Sequence, residues 1–299
     1  MQADHAFTIG RSHKVCEDYA RSKDMVSYSG DGVRHMSYAF VSDGCSGSPD
    51  SDVGARVLIA SAEQFLLRRR GIFDANDMRH IVVDASATQR LLGMPEEMLD
   101  ATLLGVYVDS RINVFGMGDG MIAFRMHSGD LAVFDIVSPS GFPIYPSYFL
   151  SQSRMVGVQK EMRKDPEKGW RVDYVRENED MVERDERCFW SNNLELFRQD
   201  YSIGDRDGIR DLTTDGEDPD CVDADDFIET VAVFSDGVKS FIDSDRQGVP
   251  WLAVVGELMS FRGFKGEFVK RRMQGFLRAC ARRGWQHDDD LSMAAVHIG

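Results

Sequence analysis

The 299-residue sequence predicts an α+β fold in which two mainly antiparallel sheets pack together and helices cover their outer faces. Strand-like segments joined by tight turns run from residue 101 to 137, which is the spacing of an antiparallel meander. Several of these strands are apolar on both faces, so both sides of the sheet must be covered. Apolar residues at helical spacing at 52–70, 77–92 and 266–282 predict the covering helices.

The elements follow one another in a simple order. A strand at 6–11 and a polar turn at 21–24 precede a second strand that ends at Asp43. Two helices come next: one starts at Asp52 and has the run Arg68–Arg70 in its last turn, and the other ends at Gly93. The meander then has four strands, at 101–108, 112–117, 121–126 and 131–137.

The segment 138–226 is the least regular part of the chain. It is rich in charge and has strand-like pieces near 170–176 and 188–190. We interpret it as an insertion or flap joined to the core of a single domain that spans 1–299. A strand at 230–234, helices from Pro250 and over 266–282, and a last strand at 291–298 complete the chain.

Composition narrows the function classes. Asp plus Glu number 50 against 35 for Lys plus Arg, and this net charge of -15 disfavours binding to nucleic acid or to an anionic membrane. It makes divalent cations natural partners. The sequence has no evident leader and no apolar run of membrane-spanning length. Its 5 cysteines are scattered without a Cys-x-x-Cys spacing, which predicts a reducing cytoplasm rather than a disulfide framework or a zinc site.

Three strand-like segments end in aspartate and glycine, at Asp43-Gly44, Asp119-Gly120 and Asp236-Gly237. A buried strand carries its last side chain to the rim of the core, and glycine lets the backbone turn there. Adjacent rims would gather carboxylates, which bind hard divalent cations. A single Asp-Gly is more often an ordinary turn. The case for a metal site therefore depends on the set and on two further acidic groups, Glu17-Asp18 and Asp288–Asp290.

The acidic motifs occur in the order, and at roughly the spacing, seen in metal-dependent protein phosphatases of the 2C type. They are Glu17-Asp18, Asp43-Gly44, Gly118-Asp119-Gly120, Ser235-Asp236-Gly237 and Asp289-Asp290-Leu291-Ser292. The chain resembles this family from about Phe7 to Ile298, and Ala101-Thr102 resembles the family's Gly-Ser-Thr stretch. The resemblance implies a four-layer αββα sandwich with a binuclear Mg²⁺ or Mn²⁺ centre. It also implies hydrolysis of phosphoserine or phosphothreonine in a phosphorylated protein substrate.

Carried over position by position, the resemblance assigns the metal ligands. Asp43 would bridge both ions, and the carbonyl of Gly44 would bind the second. Asp236 and Asp289 would hold the first ion. The implied reaction is attack of a metal-bridging water on the phosphomonoester, so no serine or cysteine nucleophile is required.

The remaining candidate residues support this centre. Glu17 would act on the second ion through water, and Asp18 would orient the site. Asp119 matches a position that, with Asp236, holds a weaker third ion. His13 stands where the family has an arginine that binds the substrate phosphate, and it is the candidate for that contact.

Three positions depart from the family pattern. His13 replaces the arginine, Cys16 replaces an asparagine before Glu-Asp, and Cys45 replaces a histidine that is a candidate leaving-group acid. His13 is as consistent with a structural hydrogen bond as with a phosphate contact. Cys45 is either a small packing residue or a reactive thiol. These departures motivate a second hypothesis, a catalytically weak relative that binds a phosphorylated partner without turnover.

Overall fold

Two antiparallel sheets and the helices on their outer faces form the described part of the molecule. The computed structural model describes residues 1–29, 32–68, 75–138, 143–164, 171–177, 182–187, 197–202 and 227–299. The longer strands are β1 (Gln2–Thr8), β2 (Tyr19–Ser29), β3 (Gly32–Ser42), β4 (Leu103–Val108), β5 (Arg111–Met117), β6 (Gly120–Met126), β7 (Leu131–Val137), β8 (Arg171–Glu177), β9 (Val182–Arg187), β10 (Phe197–Ser202), β11 (Ile228–Phe234) and β14 (Leu291–His297). The short strands β12 (Phe241–Ile242) and β13 (Gln286–His287) pair with each other.

Helices connect the strands and form the outer layers. The α-helices are α1 (Ser51–Arg68), α2 (Ala75–Leu91), α3 (Gln152–Lys164), α4 (Trp251–Met259) and α5 (Phe268–Arg283). Short 3-10 turns occur at Glu96–Leu99, Pro146–Leu150 and Asp236–Lys239. None of the helices in the described ranges is long and apolar enough to cross a membrane.

The sheet topology brings distant segments to the same end of the molecule. One sheet has seven strands in the order β1-β14-β11-β6-β7-β8-β9, and the other has five in the order β10-β5-β4-β3-β2. Neighbouring strands are antiparallel, so the last residue of β11 pairs near the first residues of β6 and of β14. The end of one strand therefore lies beside the beginning of the next.

Three apolar layers hold the four structural layers together. Val41 and Val233 are buried between the two sheets. Ile59 of α1 packs with α2 on the five-stranded sheet, and Phe276 of α5 packs with α4 on the seven-stranded sheet. The arrangement is an αββα sandwich of two antiparallel sheets, which confirms the predicted fold class.

The predicted turn at 21–24 is wrong. These residues lie inside β2, where Arg21 pairs with Phe40 and Asp24 pairs with Ser37. The polar residues are tolerated because β2 is the edge strand of its sheet. The hydroxyl of Ser37 donates a 2.8 Å hydrogen bond to Asp24 across the pair.

The segment after β7 contributes to both sheets. β8 fulfils the prediction of a strand near 170–176 and pairs with β7, and β10 pairs with β5. The sequence pattern did not predict α3, β9 or β10, whose residues are strongly charged or polar. The predicted strand near 188–190, and positions 69–70 of the arginine run, lie outside the described residues.

Candidate metal centre

The aspartates singled out in the sequence come together at one end of the two sheets. Asp43 follows β3 and Asp236 follows β11, whereas Asp119 and Asp289 shortly precede β6 and β14. Antiparallel pairing places the ends of β11, β6 and β14 side by side, and β3 of the other sheet packs against β11 and β14. Asp18 lies just before β2 and is buried beside them.

The carboxylates act on one another electrostatically. Burial, followed by the charges of Asp18 and Asp236, holds the pKa of Asp43 well above its ordinary value. Burial and the charge of Asp236 raise the pKa of Asp119 to about 7. The pKa of Asp289 is raised by burial and then by Asp236. The cluster therefore carries negative charge that the protein does not fully compensate.

Asp18 is the most deeply buried of these acids, with 1% of its surface exposed. The hydroxyl of Ser235 donates a 2.6 Å hydrogen bond to Asp18 Oδ2. Burial raises the pKa of Asp18 to about 7, although the Ser235 hydroxyl opposes the shift. Asp18 Oδ1 is buried without a hydrogen-bond partner among the described residues.

Thr102 fixes the backbone of Asp43. The amide of Asp43 donates to Thr102 Oγ1 at 3.0 Å, and the amide of Thr102 donates to the Asp43 carbonyl at 2.8 Å. The hydroxyl of Ser42 donates to the Thr102 carbonyl at 2.6 Å. These bonds join the end of β3 to the start of β4, so the position of Asp43 is set by the sheet.

Gly44 sits where the first acidic loop crosses the start of α1. Its amide donates to the Glu17 carbonyl at 3.2 Å. A Cβ at this position would lie 2.8 Å from the Ser51 carbonyl oxygen and 3.0 Å from that of Glu17. The hydroxyl of Ser51 also donates to Glu17 Oε1 at 3.2 Å. Gly44 thus permits a backbone approach that holds Glu17 beside Asp43.

Asp290 is a residue whose role the sequence pattern did not reveal. Its Oδ1 accepts the amide of Gly10 at 2.7 Å, and its Oδ2 accepts the amide of Glu17 at 2.6 Å. Only 2% of its surface is exposed. Asp290 therefore holds the first acidic loop against β14. The adjacent acids Asp289 and Asp290 could have indicated such a role, but the sequence does not show which of the two binds the loop that carries Glu17.

His13 lies among carboxylates. Its Nε2 is 3.2 Å from Asp289 Oδ1, and its Nδ1 is 3.1 Å from Asp290 Oδ2 and 3.6 Å from Glu17 Oε2. Burial lowers the pKa of His13, but the three carboxylates outweigh this effect and the net shift is upward. Ligand atoms of His13, Glu17 and Asp290 lie within 4.8 Å of one another.

Tyr145, which the sequence did not single out, lies near Cys45. The Tyr145 side chain is buried at the start of the turn Pro146–Leu150. Burial and then the neighbouring Cys45 thiol raise the pKa of Tyr145, and the charges of Asp119 and Asp43 add to the shift. Cys45 is a free thiol of intermediate exposure. Cys45, which stands where the family has a histidine, therefore has Tyr145 as a neighbour.

Asp100 connects this turn to the loop after Asp43. Arg154 NH2 lies 2.7 Å from each carboxylate oxygen of Asp100, and the hydroxyl of Ser147 donates to Oδ1 at 2.6 Å. The hydroxyl of Ser48 donates to Asp100 Oδ2 at 3.1 Å, and the Cys45 amide donates to the Asp100 carbonyl at 2.8 Å. One buried carboxylate thus holds two segments that border the centre.

Lys239 is a cation close to the cluster. It ends the 3-10 turn that begins at Asp236, and its Nζ is 2.6 Å from Asp135 Oδ1 on β7. Its charge opposes the rise in the pKa of Asp119.

The family model for protein phosphatase 2C matches residues 9–178, more than half of the chain. The chain belongs to the protein phosphatase 2C family. Members of this family are metal-dependent serine/threonine protein phosphatases, and this chain is one of them. Comparison with curated proteins gave no match by sequence.

Solved structures of serine/threonine phosphatases resemble this phosphatase over its whole length. A bacterial serine phosphatase is 10% identical, with a TM-score of 0.50, and the match covers 100% of this chain and 98% of that chain. Stp1 from Staphylococcus aureus is 11% identical, with a TM-score of 0.49 and coverage of 100% and 96%. The catalytic domain of PstP, in complex with 2 manganese ions, is 14% identical, with a TM-score of 0.47 and coverage of 98% and 96%. At 10% sequence identity, the similarity to the bacterial serine phosphatase supports the fold alone.

The donor set of this phosphatase fits hard divalent cations. Its candidate ligands Asp43, Asp236 and Asp289 offer carboxylate oxygens, and Asp18 adds a buried oxygen without a partner among the described residues. Mg²⁺ and Mn²⁺ prefer such oxygen ligands. Cations would also offset the repulsion that raises the pKa values of Asp43 and Asp289.

Proposed function

We propose that this chain hydrolyses phosphoserine and phosphothreonine in proteins at the carboxylate cluster, with two Mg²⁺ or Mn²⁺ ions as cofactors. The observation that carries the proposal is the convergence of Asp43, Asp236 and Asp289 from three separate strand ends. Their mutual electrostatic effects support a site built for cations. The proposal takes 1–299 as one catalytic domain with an insertion at 138–226, and it places the enzyme in the cytoplasm.

Each candidate ligand has a proposed place. Asp43 would contact both ions and the Gly44 carbonyl would contact the second, while Asp236 and Asp289 would hold the first. Glu17 would act through a water molecule. When bound, such ions supply a water of lowered pKa as the nucleophile and neutralise the phosphoryl oxygens.

The protein's own contribution is placement. Thr102 holds the Asp43 backbone through two hydrogen bonds, and Asp290 holds the Glu17 amide. Asp18 is fixed by Ser235 and acts electrostatically on Asp43, and its proposed role is to orient the site. Fixed charges of this kind need little reorganisation during phosphoryl transfer. Asp119 is proposed, with Asp236, as a weaker third site.

One observation favours the second hypothesis, a catalytically weak protein that binds a phosphorylated partner. His13 is within 3.6 Å of three carboxylates, so its ring is engaged where the family has a phosphate-binding arginine. A site that captures phosphate weakly loses transition-state stabilisation as well as substrate affinity.

The test is phosphate release from a phosphothreonine peptide by purified protein loaded with Mn²⁺. Asp43→Asn and Asp236→Asn should each reduce kcat/KM by at least about 100-fold, which is typical of losing a group that stabilises transition-state charge. Asp84→Asn, an exposed acid on α2 paired with Arg68, is the matched control and should leave turnover unchanged. Absence of turnover by the wild-type protein would refute the proposal, and tight peptide binding without turnover would support the second hypothesis.

A further inference from the structure

His13, Glu17 and Asp290 form a cluster around one ring nitrogen. Ligand atoms of the three residues all lie within 4.8 Å of one another. The Nδ1 atom of His13 is 3.1 Å from Asp290 Oδ2 and 3.6 Å from Glu17 Oε2. Atoms that share one cation at about 2.0–2.2 Å are about 3–4 Å apart, so both distances fit a single bound ion.

The Nδ1 atom of His13 is buried and has no hydrogen-bond partner among the described residues. Asp290 Oδ2 is near enough to accept a hydrogen bond, so it must lie off the line along which a ring N–H would donate. A ring nitrogen and two carboxylates are thus close together, and the nitrogen bonds to neither of them. A cation bound to all three would satisfy the nitrogen and offset the repulsion between the two negative charges.

The other ring nitrogen of His13 faces a carboxylate, as is usual for a histidine that binds a metal. Its Nε2 atom lies 3.2 Å from Asp289 Oδ1. Metal-bound histidines generally present their second nitrogen to a carboxylate or a carbonyl, which keeps the proton there and leaves the lone pair of the first nitrogen for the ion. Asp289 therefore favours the tautomer in which Nδ1 is the ligand atom.

Hydrogen bonds hold the two carboxylates in place. Asp290 Oδ1 accepts the Gly10 amide at 2.7 Å, and its Oδ2 accepts the Glu17 amide at 2.6 Å. A carboxylate offers about four lone-pair directions, so Asp290 keeps acceptor capacity for a cation. The hydroxyl of Ser51 donates to Glu17 Oε1 at 3.2 Å, and Glu17 Oε2 faces His13. The three side chains therefore need little reordering when an ion binds.

We propose that His13 Nδ1, Glu17 Oε2 and Asp290 Oδ2 bind a Zn²⁺ ion, separate from the two ions of the proposed catalytic centre. Mg²⁺ and Mn²⁺ prefer ligands that are all oxygen, whereas an imidazole nitrogen suits Zn²⁺, which also binds more tightly than Mn²⁺ to most sites. Three protein ligands leave the fourth position of a tetrahedral zinc ion open to water. The site goes beyond the proposed function, because the catalytic ions are held by other residues.

The first measurement is Zn²⁺ binding by equilibrium dialysis in excess Mg²⁺, which fills the sites that have only oxygen ligands. The wild type should bind one Zn²⁺ ion more tightly than any further ion. His13→Asn should weaken its binding by at least about 100-fold, because loss of an outer partner alone costs about 10- to 100-fold and here a ligand is removed. His80→Asn, which removes an exposed imidazole of α2 stacked on Phe65, is the matched control and should bind Zn²⁺ as the wild type does.

Nitrogen NMR of the wild type, labelled with ¹⁵N in its 7 histidines, identifies the ligand atom directly. One equivalent of Zn²⁺ should shift one Nδ1 resonance, while the Nε2 atom of the same ring keeps its proton. The resonance that shifts should be the one missing from the spectrum of His13→Asn. A wild-type spectrum in which no ring nitrogen shifts would overturn the proposal and leave His13 as an ion-pair partner of Asp289 and Asp290.

A second variant tests the carboxylates. Glu17→Gln keeps the size of the side chain and removes its charge, so the Zn²⁺ affinity should fall by about 10- to 100-fold while the His13 resonance still shifts at saturation. Unchanged affinity in either Glu17→Gln or His13→Asn would overturn the proposed site. None of these measurements requires turnover. Failure of the wild type to hydrolyse a phosphopeptide would therefore refute the proposed function without deciding whether zinc binds at His13.

Discussion

The hydroxyl of Ser235 donates a 2.6 Å hydrogen bond to Asp18 Oδ2 and joins the end of β11 to the acidic loop before β2. The Oγ atom of Ser235 also accepts a hydrogen bond from the amide of Ser292 at 3.0 Å. Three segments that are far apart in the sequence thus meet at one hydroxyl. Because Asp18 is buried, no solvent contact is available to replace this bond.

Ser235→Ala tests this junction. The change leaves the Asp18 carboxylate and the Ser292 amide without their partner, so the free energy of unfolding should fall by about 1–3 kcal/mol. The affinity for Mn²⁺ should fall as well, because Asp18 is no longer fixed. Urea unfolding and a Mn²⁺ titration measure the two effects. Ser260→Ala, which removes a hydroxyl bonded to the Gly256 carbonyl at the end of α4, should change stability by less than about 1 kcal/mol.

Gly237 gives a second test, because its role is set by space. A Cβ here would lie 1.7 Å from the Asp290 carbonyl oxygen, which is backbone and has no room to move. Gly237→Ala should therefore separate the turn after Asp236 from β14 and destabilise the protein by more than about 3 kcal/mol. Thermal unfolding measures this. Gly275→Ala in α5, where a Cβ meets nothing within 4 Å, should instead stabilise by about 0.5–1 kcal/mol.

The sequence predicts the fold class and the cluster because both depend on local patterns. Strand periodicity and a terminal aspartate, as at Asp43 and Asp236, can be recognised within a few residues. The loop role of Asp290 depends on Gly10, which is 280 residues away along the chain, and the turn that carries Tyr145 is held by a bond between Ser147 and Asp100, which are 47 residues apart. Such contacts leave no local pattern. The sequence likewise could not predict that carboxylates surround His13, because a histidine at this position could equally have faced a phosphate.

Arg154 and Asp100 provide a third prediction. Arg154→Ala removes the cation that is paired with the Asp100 carboxylate. The side chain of Asp100 is only 8% exposed, so water cannot readily replace this partner. Stability should fall by about 3 kcal/mol, as expected when one partner of a largely buried pair is removed. Arg68→Ala is the matched control: it breaks the exposed pair with Asp84, whose side chains are 62% and 44% exposed, and should cost less than about 1 kcal/mol. Equal losses in the two variants would show that Asp100 does not depend on Arg154.

The acid cluster predicts how pH affects the metal-free protein. The pKa values of Asp18 and Asp119 are raised to about 7 by burial, whereas an unfolded chain has ordinary aspartates near about 3.9. Between these values the folded chain binds more protons than the unfolded chain. The stabilising contribution is therefore complete below about pH 4 and is lost as the pH rises through about 7.

In EDTA, the melting temperature should fall steadily from about pH 5 to about pH 8, because the folded chain gives up protons that it holds more tightly than the unfolded chain. Saturating Mn²⁺ should make the melting temperature less dependent on pH, because the cations neutralise the carboxylates in place of protons. The increase in melting temperature caused by Mn²⁺ should therefore grow with pH. Differential scanning calorimetry at four pH values measures both curves. Asp18→Asn removes one titrating group but keeps an oxygen for the Ser235 hydroxyl, so its slope in EDTA should be smaller than that of the wild type. A melting temperature in EDTA that stays constant over this range would show that the carboxylates do not meet in the folded chain.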